Sequence, residues 1–456
     1  MTPPALRWDR GTLLLEGLPE EAWPASARFD ARVGLPRAPA AAYHEVVLHL
    51  HGEGVAFRDE ARAYVALERE HEGDRVPRPY QAEAVDAWWR RGRRGVVVLP
   101  TGAGKSFVAE LCIARAARSA LVVAPTLDLV GQWYDALRRA FGEPVGLLGG
   151  GHHELEAITV ATYDSAWMQV ERWGDRFGLL VFDEVHHLPG PSYAQAATGS
   201  IAPFRLGLTA TLERPDGAHA WLDELVGPVV FRREITDLAG DFLAPYRTEV
   251  LTVHLDAADR AAYAQAEDQW RGFVAARGIR LGGRGGWAHF LRETARSKEG
   301  REAFRAWRRA RELVQAAPEK LRRLAEILAH HRDGRVIVFT HDNATVHAIS
   351  RALLVPAITH QTDVKERRAL LEAFASGELP VIVTSRVLNE GVDVPAADVA
   401  VVLSGTATVR EHVQRLGRIL RPREGKQAVL YELVVAESHE ARTSARRRDH
   451  AAYRES

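Results

Sequence analysis

The chain reads as an α/β protein: two parallel-sheet lobes, a small mixed α/β module ahead of them, and a helical insertion between them. Three observations predict this. Short Val/Leu/Ile-rich runs alternate with helical stretches through the first half, the pattern of a parallel sheet covered on both faces. The same rhythm restarts near Arg335. Between the two series, over residues 236–318, the rhythm breaks and Ala/Arg-rich helical patterns take over.

Taken in order, residues 1–75 form the small module. Thr12–Glu16 and Glu45–His51 are expected strands, joined by Pro- and Gly-bearing connections such as Gly34-Leu35-Pro36. The first lobe is placed at 76–235. Arg78-Pro79-Tyr80-Gln81 opens a helix running through Trp88-Trp89, with the proline setting its first turn. Strands are expected at 95–99, 120–124, 157–161, 179–182 and 204–209. The insertion, 236–318, carries the flexible turn Leu281–Trp287 and a helix in which Arg301, Arg305, Arg308 and Glu312 share a face with Phe304 and Trp307 interleaved. That face suits either solvent or a phosphate backbone with aromatics to stack on it. The second lobe, 319–456, has strands expected at 335–340, 381–384, 399–403 and 427–432.

Composition narrows the class. With 46% apolar and 26% charged residues over 456 positions, there is ample material for a packed core. No window approaches the ~18 consecutive apolar residues of a membrane span. Met1-Thr2-Pro3-Pro4 shows no secretory pattern, so a cytoplasmic protein is expected. The single cysteine, Cys112, excludes a disulfide framework and a four-cysteine iron–sulfur cluster. The pairs His152-His153, His186-His187 and His330-His331 lack zinc-ligand spacing. Lys+Arg and Asp+Glu balance at 60 each, so any nucleic-acid site must be a local patch.

The chemistry is concentrated in two runs. Leu99-Pro100-Thr101-Gly102-Ala103-Gly104-Lys105-Ser106 is a phosphate cradle. Its glycines let backbone N–H groups close on an anion, Lys105 adds a point charge and Ser106 can ligate Mg²⁺. Asp183-Glu184-Val185-His186 follows the apolar run 179–182. It supplies one carboxylate for the metal and another to orient or deprotonate water. Together they predict a nucleoside triphosphatase using ATP and Mg²⁺, with Lys105, Asp183 and Glu184 catalytic and Ser106 and Asp183 at the metal. Leu99 stands where the strict cradle pattern has its first glycine.

With these runs, the remaining motifs resemble the XPB family of superfamily 2 DNA helicases, particularly its smaller archaeal-type members. The likeness covers about residues 76–432 in the family's order. Arg78–Gln81 resembles the adenine-sensing entry, and Ala124–Trp133 and Ile158–Tyr163 resemble nucleic-acid backbone contacts. Arg205–Thr211 resembles the motif coupling hydrolysis to DNA movement. Thr384–Pro395 is similar to the motif joining DNA and nucleotide, and Gln414–Pro422 to the arginine-finger helix.

The resemblance implies two RecA-like lobes, a damage-recognition-like module at 1–75 and a thumb-like element at 236–318. It implies a nucleotide site of Arg78, Gln81, Thr101, Gly102, Gly104, Lys105, Ser106, Gly391 and Asp393, with Gln414, Arg418 and Arg421 joining the catalytic set. A planar guanidinium is well suited to spreading charge off a γ-phosphate. It also implies 3′-to-5′ helicase action in DNA repair on forked DNA or single-stranded/duplex junctions, by a monomeric motor. A structure-specific nuclease partner is implied with it. One departure stands out: Arg214-Pro215-Asp216 occupies the place of the family's Arg-Glu-Asp triplet, which is associated with unwinding. A double-strand translocase, or an ATP-switched DNA clamp for a nuclease, therefore stays open as an alternative.

Overall fold

The computed structural model describes residues 3–68, 71–142, 144–214, 216–281, 285–385, 397–403 and 428–448. They divide into two compact units, 1–233 and 234–456.

In the first unit, Ala5–Asp9 and Thr12–Glu16 pair as an antiparallel hairpin. They lie inside a five-stranded sheet completed by Leu35–Pro39, Arg28–Asp30 and Arg58–Glu60. The expected strand at 45–51 is instead part of the helix Tyr43–Gly52. Its run of apolar residues alternates over too short a span to distinguish the two periods. Burial decides: Tyr43, Val46 and Leu50, at helical spacing, enter the core with Leu6, Leu13 and Leu15, while Leu48 stays exposed.

The second sheet of this unit has eight strands, in the order Val229–Arg232, Arg94–Val98, Phe204–Thr209, Leu179–Phe182, Ala120–Ala124, Ile158–Thr162, Gly146–Gly149, His152–His153. All neighbours are parallel except the last pair. The central strands are buried on both faces, which is why they read as continuous Val/Leu runs. Parallel strands bring their C-terminal ends to one edge, so Leu99, Asp183 and Ala210 emerge side by side. The helix Pro79–Arg90 is tied to this sheet by Trp88, whose indole N–H donates to the Arg205 carbonyl at 2.9 Å. Arg205 itself is a structural cation. Its buried guanidinium donates to the carbonyls of Ala202, Leu225 and Ser200 at 3.3, 2.6 and 3.1 Å.

The second unit has a six-stranded, all-parallel sheet: Tyr246–Val253, Ala428–Val435, Val399–Val402, Val336–Phe339, Val381–Thr384, Ala357–Ile358. Its outermost strand, Tyr246–Val253, falls in the stretch expected to be helical. It pairs residue for residue with Ala428–Val435, but as an edge strand it is half-buried and carries Arg247, Thr248 and Glu249, which hides it in a hydropathy reading. The helices Ala257–Ala276, Gly286–Arg296 and Lys298–Gln315 follow. Tyr263, Ala266, Ala306, Ala310, Leu313 and Val314 bury against Val253 and Val435. In Lys298–Gln315, Arg301, Arg305 and Arg308 are exposed, Arg308 pairs with Glu312 at 3.5 Å, and Phe304 stacks on Trp307. Among the described residues, no helix is long and apolar enough to cross a membrane.

The helix His439–Arg448 begins with a titratable group under strain. Burial, and then the cations Arg311, Lys320, Arg442 and Arg271, push the His439 imidazole down to about 4. The unfolded chain takes up that proton near its ordinary value of 6.5, the folded chain only near 4. Stability is therefore full above about pH 6.5 and falls as pH drops through this window. Urea unfolding of the second unit is expected to show a lower midpoint at about pH 5 than at about pH 7, and His439→Gln to reduce that difference.

Candidate nucleotide site

The phosphate loop starts where Arg94–Val98 ends. The Leu99 N–H donates to the Thr209 carbonyl at 3.0 Å, continuing the sheet for one more residue. The chain then turns through Gly102 and Gly104, at φ 86° and 79°, into the helix Lys105–Ala116. Such left-handed backbone favours glycine. At Gly104 space is also decisive, since a Cβ would stand 2.5 Å from Gln81 Nε2. The helix N-terminus directs N–H groups and the positive end of its dipole at the loop. Lys105 Nζ donates to the Leu99 carbonyl at 3.3 Å, arching over the turn. Ser106 is exposed at the helix start. Among the described residues Thr101 Oγ1 is buried without a hydrogen-bond partner, an orphan that a phosphate or hydrated cation in the loop would satisfy.

The entry helix braces this loop from behind. Gln81 Nε2 and Tyr80 Oη both donate to the Ala103 carbonyl, at 3.0 and 2.8 Å. The Gln81 side-chain Oε1 accepts the Arg78 N–H at 2.9 Å, closing the helix cap. The buried Gln81 amide is thus committed to positioning the phosphate loop.

Asp183 leaves the sheet next to this loop and is buried. Its Oδ2 accepts the Trp133 indole N–H at 2.8 Å, its Oδ1 accepts the Glu184 N–H at 2.9 Å, and its carbonyl accepts the Tyr163 hydroxyl at 3.0 Å. Burial raises the Asp183 pKa, opposed by the Lys105 charge and the Trp133 bond. A carboxylate in this position gains from a divalent cation, which would offset its lost hydration. Trp133→Phe keeps an aromatic ring in the core, though a smaller one, and removes one donor from the buried carboxylate. We expect turnover to fall about tenfold or more and half-maximal activity to need more Mg²⁺, checked by ATP hydrolysis against Mg²⁺ concentration.

Glu184 sits at φ 46°, an uncommon conformation for a residue with a side chain. Its Oε2 lies 3.4 Å from His186 Nδ1, which is 3.1 Å from Thr209 Oγ1. The Thr209 hydroxyl donates to the Thr211 carbonyl at 2.8 Å and accepts the Thr211 N–H at 3.2 Å. Arg214 then donates to the His186 carbonyl at 2.6 Å and forks onto Asp216 at 3.0 and 2.7 Å. A continuous polar path therefore runs from the Glu184 carboxylate to the 209–211 run and the Arg214 triplet.

Of the residues predicted from sequence, Arg78, Gln81, Thr101, Gly102, Gly104, Lys105, Ser106, Asp183 and Glu184 gather at this one sheet edge. Gly391, Asp393, Gln414, Arg418 and Arg421 lie outside the described residues, as does Pro215. Trp133, Tyr163 and Tyr80 were not singled out in the sequence as site residues. Trp133 and Tyr163 fall in runs read as nucleic-acid backbone contacts, whereas the structure aims Trp133, on the buried face of the helix Leu127–Phe141, at Asp183.

Three family models match: the Xeroderma pigmentosum group B helicase damage recognition domain at 6–61, the type III restriction enzyme res subunit at 74–214, and the helicase conserved C-terminal domain at 319–423. A protein of Sulfurisphaera tokodaii described as DNA 3′-5′ translocase XPB2 is 42% identical over 372 residues, covering 82% of this chain and 84% of the relative. DNA 3′-5′ helicase XPB of Mycobacterium tuberculosis is 30% identical, over 91% of this chain and 68% of its own length. Its Kineococcus radiotolerans namesake is 32% identical over 79% of this chain, but the match spans only 59% of that relative. Among solved structures, the Pyrococcus furiosus Hef helicase domain shares the fold, with TM-score 0.53 and 21% identity, over 82% of this chain and 98% of that one.

Proposed function

Since the chain belongs to the XPB helicase family, we propose that it is an ATP-driven DNA motor that moves 3′ to 5′ and opens forked or junction DNA during repair. The observation that carries this reading is the polar path from Glu184 through His186 to Thr209 and Thr211. It couples the group suited to activating water to the motif that resembles the family's link to DNA movement.

In this reading ATP is the substrate and Mg²⁺ the cofactor. The loop amides, Lys105 and Thr101 bind the phosphates. Ser106 and Asp183 would hold the Mg²⁺, which would supply charge neutralisation of the phosphates. Trp133 and the Glu184 N–H hold the Asp183 carboxylate in place. Glu184 accepts a proton from the attacking water, with His186 fixing the carboxylate's orientation. Catalytic roles fall to Gln414, Arg418 and Arg421, and nucleotide contacts to Gly391 and Asp393. These five assignments rest on the family resemblance. So do a structure-specific nuclease partner and monomeric action.

Steady-state ATP hydrolysis tests the proposal. It is expected to rise strongly with forked or single-stranded DNA and not with RNA. No response to any DNA would overturn the motor reading. A second reading, movement along duplex without strand separation, is favoured by the description of the Sulfurisphaera relative as a translocase. Equal stimulation by blunt duplex, with triplex but not duplex displaced, would select it.

A further inference from the structure

A second cavity in the first unit lies at the opposite end of the sheet from the phosphate loop. It measures about 720 Å³ and opens between the N-terminal module and the N-terminal ends of the strands Arg94–Val98, Ala120–Ala124 and Phe204–Thr209. The strand Arg94–Val98, with ~20 Å from Arg93 at the cavity rim to Leu99 at about 3.3 Å per residue, separates the two. The two sites are thus distinct.

Its walls combine aromatic faces with guanidinium groups. Tyr64, Trp89 and Phe204 line it together with Arg62, Arg93 and Arg118. Each arginine lies on a ring: Arg93 is 4.2 Å from the Trp89 centroid, Arg118 is 4.1 Å from Phe204, and Arg62 is 5.6 Å from Tyr64. Among the described residues none of the three is paired with a carboxylate, and Arg93 Nε is buried with no hydrogen-bond partner. The lining has one acid, Asp59, which accepts the Tyr43 hydroxyl. Three guanidinium groups around one cavity give it a positive field that attracts an anion.

The walls are also held in place by backbone bonds. The connector carrying Tyr64 is stitched to the strand carrying Arg118: Ser119 N–H donates to the Val65 carbonyl at 2.9 Å and Leu67 N–H to Ala117 at 3.0 Å. Arg93, at φ 62°, is fixed by its N–H to the Trp88 carbonyl at 3.0 Å and by its carbonyl to Arg205 N–H at 2.9 Å. A rigid aromatic cleft edged by planar donors suits a ring to stack and a phosphate to fork onto, and its volume is in the range of small-ligand pockets.

We propose that this cavity binds a single unstacked nucleotide, its base against the aromatic wall and its phosphate on Arg62, Arg93 and Arg118. The nucleotide is either part of a single DNA strand or free. The inference deepens the DNA-motor reading by assigning a second nucleic-acid contact away from the nucleotide site.

Photo-crosslinking of the full-length protein to a short single-stranded oligodeoxynucleotide containing 5-iododeoxyuridine tests it, with the adduct mapped by mass spectrometry. Adducts are expected on Tyr64, Trp89 or Phe204. Arg118→Gln and Arg62→Glu should each weaken strand binding about tenfold. Each should also flatten its log–log salt dependence by about 0.7. Arg62 is exposed, so its variants keep the test open if Arg118→Gln fails to fold. Arg62→Lys, which keeps the charge, should recover most of the affinity. Competition by thymidine monophosphate at equal nucleotide concentration would identify a free-nucleotide site, and competition by unlabelled oligonucleotide alone a strand site. Adducts only elsewhere, with variant affinities unchanged, would overturn the inference. DNA-stimulated ATP hydrolysis measured alongside separates the two failures: if it persists, the motor reading stands without this pocket.

Discussion

Glu184→Gln is expected to lower ATP turnover by a factor on the order of 10²–10⁴ while leaving ATP binding intact. The amide keeps the size and shape of the carboxylate, so the polar path through His186 persists in outline. What is lost is a group able to accept a proton from water. Because the φ of 46° at this position is imposed by the turn between Leu179–Phe182 and the Val185–His187 helical turn, the substitution adds no new backbone strain. Lys105→Ala serves as the contrasting variant. It removes the point charge beside the loop and should weaken ATP binding as well as turnover. Equilibrium nucleotide binding and single-turnover hydrolysis, measured on both variants, distinguish the roles. Turnover by Glu184→Gln within a few-fold of wild type would remove Glu184 as the base.

The largest stability effect is expected far from that site, at Lys320. Its side chain is fully buried in the second unit, with Nζ donating to the Leu403 carbonyl at 2.5 Å and to Glu440 Oε2 at 2.6 Å. Burial alone lowers the Lys320 pKa and raises that of Glu440, and each partner's charge opposes the shift. Glu432, also buried, accepts the Ser444 hydroxyl at 2.9 Å in the same region. Lys320→Met leaves the Glu440 carboxylate and the Leu403 carbonyl buried without their cation. Breaking a buried pair in this way costs about 3–5 kcal/mol. Lys320→Met/Glu440→Gln removes both charges and is expected to recover a large part of the loss, because no unpaired charge is left buried. Urea unfolding of the two single variants and the double variant measures the coupling. A loss below about 1 kcal/mol for Lys320→Met would mean that water reaches the pair.

Local pattern and tertiary contact contributed differently to what could be read in advance. The central strands of both sheets were legible because burial on both faces demands unbroken apolar runs, as in Ala120–Ala124 and Val336–Phe339. The helix Tyr43–Gly52 and the edge strand Tyr246–Val253 were not. Each is half-solvated, and its local pattern fits more than one period.

The sequence by itself determined that this chain carries a nucleotide-binding loop and an adjacent pair of carboxylates. Gly102, Gly104, Lys105, Asp183 and Glu184 are constrained by requirements met within a few residues: backbone reach, a point charge, a metal-binding oxygen. Tertiary structure alone decided what surrounds them. Trp133 reaches Asp183 from 50 positions away, Gln81 reaches the loop from 22, and His186 reaches Thr209 from 23. The stacking of Arg118 on Phe204 in the other cavity likewise joins positions far apart in the chain. Hydrogen bonds and ring contacts act over a few ångströms, and only the folded sheet brings residues so distant in the chain within that range.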